Sequence, residues 1–137
     1  MSAIAGAAMS FQGVINTRLS ERIGLYESNV FAQGTAFLLS LIVMLIWGSG
    51  SFSALGETNK VYWLGGVLGL VITITVMLSV KGLGPTAAVS VILITQLLTA
   101  AIIDAFGLLG TEKVAFGWNK YVGLALMAGG MLLFKWK

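Results

Sequence analysis

Residues 85–105 read PTAAVSVILITQLLTAAIIDA, an apolar stretch that starts with proline and carries one charged side chain, Asp104. A helix needs about 20 mostly apolar residues to cross the hydrocarbon core of a bilayer. Proline at the first helical position loses no hydrogen bond that the helix would otherwise make. This stretch therefore predicts a membrane-spanning α-helix that begins at Pro85.

The rest of the chain repeats this pattern in four further apolar runs, at residues 2–19, 29–47, 62–80 and 118–134. Trp and Tyr residues cluster at the ends of the runs, where amphipathic rings meet the membrane–water interface. The first run contains Gln12 and Asn16, and its positive charges follow it, which favours a retained span over a cleaved signal peptide. We expect a single all-α transmembrane domain over residues 1–137, with five transmembrane helices.

The segments between the runs contain polar residues and glycine. They predict a polar link over residues 18–28, a Gly/Ser loop over 48–60 and a tight turn over 81–84. A β-barrel would show alternating strands of about ten residues, and the sequence has no such pattern.

The composition excludes a water-soluble globule and several kinds of chemistry. Of the 137 residues, 58% are hydrophobic and 9% are charged, and the chain has no Cys and no His. A soluble domain carries about 25% charged residues. Without Cys or His, zinc and iron–sulfur sites built from them are excluded, as is catalysis by either side chain. We expect no enzyme activity, no cofactor and no metal, and the dispersed net charge of +3 gives no reason to expect a nucleic-acid partner.

The positive charges divide almost evenly between the two ends of the predicted spans. With the N-terminus outside, five lie on the cytoplasmic side and three on the outer side, which mildly favours this orientation. A bias this slight suits a chain that inserts in both orientations. The cytoplasmic group is Arg18, Arg22, Lys81, Lys135 and Lys137, and the outer group is Lys60, Lys113 and Lys120.

Two amides lie inside the first predicted span. Gln12 and Asn16 are four residues apart, so they share one face of the helix. Buried amides need hydrogen-bond partners, and in a membrane these come from another helix, water or a ligand. The two residues therefore either join helices or line a polar cavity.

The fourth predicted span carries an acid and further polar groups. Gln96 and Thr99 lie along one face, and Asp104 lies about 80° round from Gln96 and about 12 Å further along the axis. A carboxyl group within a span is costly. Asp104 therefore reaches the interface, pairs with Lys60 or Lys120, or binds a cation or a proton as part of the function.

Small residues predict close helix packing at three positions. Gly65 and Gly69 form a GxxxG spacing in the third span, and Gly13 makes the first helix slender. Glycine at such positions lets helix backbones approach each other.

Four stretches carry a family resemblance. They are SFQGVINTRLSERIG at 10–24, WLGGVLGL at 63–70, KGLGPTAAV at 81–89 and QLLTAAIIDAFGLLG at 96–110. In this order and spacing the chain resembles the small five-helix YdcZ-type branch of the drug/metabolite transporter superfamily. It lacks the membrane-embedded Glu that marks the first helix of the related four-helix multidrug exporters.

The resemblance implies one half of a ten-helix, inverted-repeat transporter. Such a half is expected to pair antiparallel in the lipid bilayer, as a homodimer or as a heterodimer with a close paralogue. Helices one, three and four then line the substrate path. By that analogy the pathway residues here are Gln12, Asn16, Trp63, Gln96, Thr99 and Asp104.

These observations predict a multi-pass protein of the cytoplasmic (inner) membrane that transports or exports a small organic solute. Alternating access would come from one half rocking against the other around a site near the bilayer midplane. Two alternatives remain open at this point: a passive small-ion channel built from a dual-topology dimer, and an accessory membrane subunit without transport activity.

Overall fold

The computed structural model describes residues 1–58, 60–107 and 117–135, and within these ranges the chain is helical and has no strand. The prediction of an all-α fold is therefore confirmed, whereas five transmembrane helices forming one half of a transporter stay a prediction. The α-helices of this described part are α1 (Ser2–Ile23), α2 (Leu25–Trp47), α3 (Gly65–Leu83), α4 (Pro85–Phe106) and α5 (Trp118–Lys135).

The helices belong to two compact units. The first unit covers Met1–Lys81 and the second covers Gly82–Lys137. In the first unit, α1 packs against α2, and in the second, α4 packs against α5. Each unit is therefore a packed set of helices with its own interior.

Within the described ranges, three segments are long and apolar enough to cross a membrane: Leu25–Trp47, Lys60–Leu83 and Pro85–Phe106. The expectation that α1 and α5 also span the bilayer stays a prediction. Polar side chains interrupt α1, and α5 is 18 residues long with Lys120 in its first turn. The polar side chains of α1 and the lysine of α5 lower the apolar content of a possible span.

The predicted polar link over residues 18–28 is wrong. Helix α1 continues to Ile23 and α2 begins at Leu25, so Gly24 alone separates them. Gly24 has φ 106° and ψ 157°, a backbone conformation that is essentially restricted to glycine. Polar side chains do not end a helix, because they lie on its surface and leave its backbone hydrogen bonds intact. The backbone conformation of Gly24 does end it.

A second single-residue link joins α3 to α4. Lys81, Gly82 and Leu83 remain helical, so the turn that we expected over four residues is made by Gly84 alone, with φ 83° and ψ 160°. Helix α4 then begins at Pro85, as predicted from the position of the proline.

The segment between α2 and α3 is more ordered than the expected loop. Its described residues form two short 3₁₀ helices, Phe52–Glu57 and Lys60–Leu64. At the start of the first, the Ser51 hydroxyl accepts a hydrogen bond from the Ser53 N–H at 3.2 Å. The third apolar run was expected to be helical from residue 62, but its α-helix begins at Gly65.

The described side chains are distributed in the reverse of the pattern found in water-soluble proteins. The buried polar residues are Asn16, Thr17, Ser28 and Asn29, and the buried hydrophobic ones are Met77, Val80 and Ala88. Large apolar side chains face outward along every α-helix; Trp47, for example, is 75% exposed. A surface of this kind needs lipid or another protein as its surroundings.

Candidate functional site

The first unit holds a buried polar cluster, which we define as Asn16, Thr17, Ser28 and Asn29. The Ser28 hydroxyl donates to the backbone carbonyl of Asn16 at 3.1 Å and so connects α2 to α1. The Thr17 hydroxyl donates to the carbonyl of Gly13 at 2.6 Å, within α1. The single-residue turn at Gly24 brings these two helix ends together, which places the cluster close to the link.

One acceptor in this cluster is not satisfied. The Oδ1 atom of Asn29 is buried and has no hydrogen-bond partner among the described residues. Leaving a buried acceptor unpaired costs about 1–3 kcal/mol. A water molecule that donated a hydrogen bond to Asn29 Oδ1 would therefore remove this cost.

A second polar connection joins α2 to α3. The Gln33 amide donates through Nε2 to the Thr73 hydroxyl at 3.0 Å and to the carbonyl of Gly69 at 3.3 Å. Thr73 in turn donates to the carbonyl of Gly69 at 2.8 Å. Sequence reasoning missed Gln33, although an amide within an apolar run is a signal that could have identified it.

A small cavity of about 40 Å³ lies between α1 and α3, and both amides of the first predicted span line it. Such a space holds about one or two water molecules. Its polar lining is Gln12, Asn16 and Thr73, and the rest is Met9, Gly13, Ile72, Val76 and Met77.

The glycines predicted to pack have different surroundings. A Cβ atom on Gly13 would lie 3.1 Å from Cγ1 of Val76, so glycine permits the close approach of α1 and α3. A Cβ atom on Gly69 would lie 4.0 Å from Nε2 of Gln33. At Gly65 no atom lies within 4 Å of the corresponding position, so the described chain provides no packing contact there.

The second unit holds a larger cavity, of about 300 Å³, between α4 and α5. Helix α4 contributes Leu97, Ala100, Ala101 and Asp104, which lie on one face because their spacing follows the helical repeat. Helix α5 contributes Lys120, Gly123, Leu124 and Met127. Among the described residues the lining is therefore mostly apolar, with one acidic and one basic side chain.

The two charged side chains lie at the same end of this cavity. Asp104 is half-buried in the last turn of α4, and Lys120 is exposed in the first turn of α5. The described structure contains no ion pair between them, whereas Arg18 and Glu21 on α1 do form one, at 3.3 Å. Sequence reasoning named Lys120 only as a possible ion-pair partner and missed it as a residue of the cavity.

The other pathway residues proposed on α4 do not line this cavity. The Thr99 hydroxyl donates to the carbonyl of Thr95 at 2.8 Å, so it is satisfied within the helix. Gln96 is exposed, and no residue in the described ranges hydrogen-bonds to its amide. Helical geometry places Gln96 about 80° and Thr99 about 140° round α4 from Asp104, so both lie away from the face that lines the cavity.

Trp63 lies in the 3₁₀ segment before α3 and is 51% exposed. Its Nε1 donates to the Thr58 hydroxyl at 3.3 Å. Of the six predicted pathway residues, the structure brings Gln12 and Asn16 together in the first unit. It gives Asp104 a cavity in the second unit and leaves the roles of all six as predictions.

Comparison with known proteins adds one match. The family model described as "Putative inner membrane exporter, YdcZ" matches residues 1–133. No curated protein and no solved structure matches the chain.

Proposed function

This chain belongs to the YdcZ family of inner membrane exporters, and from that premise we propose that it exports a small organic solute as an antiparallel dimer. It is an inner membrane protein, and it has helices able to span the bilayer. The family membership supports a transporter, and the arguments below support the dimer.

The observation that carries the dimer is the exposed amide of Gln96. Gln96 lies near the middle of α4, a helix of membrane-spanning length, and its amide has no hydrogen-bond partner among the described residues of the second unit. An amide that faces lipid without a hydrogen bond is costly, and in membrane proteins such groups hydrogen-bond across helices or line a polar cavity. A second copy of the chain supplies either kind of partner.

The antiparallel arrangement is supported by the charge distribution. With five positive charges against three, the chain has little preference for one orientation. If all five helices cross the membrane, an inverted second copy would reproduce the inverted repeats on which many transporters are built. Two chains would then provide ten helices around a central path.

The proposed transport cycle uses the residues predicted from the sequence. Gln12, Asn16, Trp63, Gln96 and Thr99 supply neutral hydrogen-bonding groups, and Asp104 supplies a negative charge. The path opens to one side of the membrane at a time as one chain rocks against the other.

Crosslinking tests the antiparallel dimer directly, since the chain has no native cysteine to interfere. In the proposed topology Arg18 and Asp104 lie at opposite membrane faces within one chain and at the same face between two chains. Arg18→Cys and Asp104→Cys chains, co-expressed and treated with a bifunctional maleimide, should therefore form a mixed dimer. Crosslinks restricted to 18 with 18 and 104 with 104 would show a parallel dimer and contradict the proposal.

A further inference from the structure

We propose that the cavity between α4 and α5 binds a small zwitterion, with its ammonium group at Asp104, its carboxylate at Lys120 and its apolar body along the cavity wall. This inference rests on the proposed export function and names the class of substrate. It concerns the second unit alone.

The size and walls of the cavity suit a small amphipathic molecule. Its volume of about 300 Å³ lies at the lower end of the range found for ligand sites, about 300–1,000 Å³. The wall of α4 consists of Leu97, Ala100 and Ala101, and that of α5 includes Leu124 and Met127. Ligand sites commonly combine such apolar walls with a few polar groups that fix orientation.

The helix ends reinforce the charge of each side chain. Asp104 lies in the last turn of α4, where the helix dipole places partial negative charge, and Lys120 lies in the first turn of α5, where it places partial positive charge. One end of the cavity therefore has a negative side and a positive side. These would attract an ammonium group and a carboxylate respectively.

Both charged side chains are available to the same cavity. Asp104 and Lys120 line the same cavity without forming an ion pair with each other. A lysine ammonium carries three N–H donors, so Lys120 can keep a contact within the protein and still donate to a ligand.

The pair of charges also predicts selectivity. A cation with an apolar body would be attracted by Asp104 but repelled by Lys120, and an anion would meet the opposite conflict. Specificity arises as much from such repulsion as from attraction. A zwitterion is attracted by both side chains, because each of its two charges lies beside the side chain of opposite sign.

A membrane lipid offers related chemistry. The phosphatidylethanolamine headgroup carries an ammonium group and an anionic phosphate on an apolar body. The experiment therefore includes both a free solute and a short-chain phosphatidylethanolamine as probes.

The test measures binding to the full chain purified in detergent, by isothermal titration calorimetry. L-leucine is compared with isopentylamine and 4-methylpentanoate, which keep the apolar body and each lose one charge. We expect leucine to bind at least tenfold more tightly than either analogue. L-methionine and L-phenylalanine extend the panel to larger apolar bodies.

Variants test whether the two charges carry this binding. Asp104→Asn and Lys120→Met should each weaken zwitterion binding at least tenfold. Glu57→Gln and Lys81→Met make the same chemical changes outside the cavity and should leave binding unchanged.

The exchange of the two charges, Asp104→Lys with Lys120→Asp, tests whether the ligand can bind in the reverse orientation. It should recover part of the binding lost in the single variants, because a zwitterion can bind in the reverse orientation. Circular dichroism and gel filtration check that each variant is folded.

Three results would overturn the inference: equal binding of leucine and its singly charged analogues, no binding of any of the three amino acids at millimolar concentration, or binding of phosphatidylethanolamine alone. Failure of the export proposal would look different. If the chain binds zwitterions in a charge-dependent way but gives no flux in proteoliposomes, the binding site stands and the export function is contradicted. If the chain exports a different solute saturably but binds no zwitterion, the export function stands and the zwitterion site is contradicted.

Discussion

Replacement of Gly84 tests the single-residue link between α3 and α4. Its φ of 83° and ψ of 160° lie in a region that is essentially restricted to glycine. Apart from the two neighbouring residues, no described atom lies within 4 Å of the position that a Cβ would occupy, so Gly84→Ala introduces no clash with any other described residue. The whole cost is backbone strain, and we expect the free energy of unfolding to fall by about 1–3 kcal/mol.

Gly82 provides a matched control two residues earlier in the chain. It lies in the last turn of α3, and a Cβ there would also meet open space. Because alanine is favoured over glycine within a helix by about 0.5–1 kcal/mol, Gly82→Ala should stabilise the protein or leave it unchanged. The same chemical change is thus expected to have opposite signs at two neighbouring positions.

The measurement is unfolding of the purified chain by sodium dodecyl sulfate in mixed micelles, followed by far-ultraviolet circular dichroism. A loss of 2 kcal/mol corresponds to a roughly 30-fold shift in the unfolding equilibrium. If Gly84→Ala were as stable as Gly82→Ala, the backbone at residue 84 would not have the strained conformation, and the direct connection of the two helices would be refuted.

Three further predictions use the same unfolding assay. Ser28→Ala removes the hydroxyl that donates to the carbonyl of Asn16 and should cost about 1 kcal/mol, with an unchanged value showing that water replaces it. Gln33→Leu removes the polar connection between α2 and α3 and should cost about 0.5–1.5 kcal/mol; a gain in stability would show that the amide is better replaced by an apolar group. Gly13→Leu should lower the free energy of unfolding by about 1–3 kcal/mol because its side chain would overlap α3. Gly6→Leu, in open space on the same helix, should not lower it. Equal effects of the two changes would contradict close packing at Gly13.

The helices of this chain could largely be predicted from its sequence, because length and apolar content decide them. The bounds of the fourth run, 85–105, agree with α4 within one residue, since proline marks its start. The links were harder to predict. Whether residues 18–23 continue a helix depends on where the backbone turns, and only the conformation of Gly24 decides that.

The sequence predicted which site residues share a helix face, but not which residues a neighbouring helix contributes. Helical spacing correctly placed Gln12 and Asn16 on one face, and both line the same small cavity. It could not identify residues contributed by a neighbouring helix, so Lys120 and Gln33 were missed as members of their sites. Which helix faces which is decided by packing, and a periodic pattern on one helix contains no information about its partner.

The reversed distribution of polar and apolar side chains has a consequence for how this protein responds to temperature. When a water-soluble domain unfolds, apolar groups enter water, the heat capacity rises and the stability curve bends. Here the outward-facing side chains would stay in hydrocarbon whether the helices are associated or separated, and the apolar groups that part would also enter hydrocarbon rather than water. Separation of the helices should therefore change the heat capacity little, so that the protein keeps its stability on cooling where a soluble domain of this size would begin to lose it.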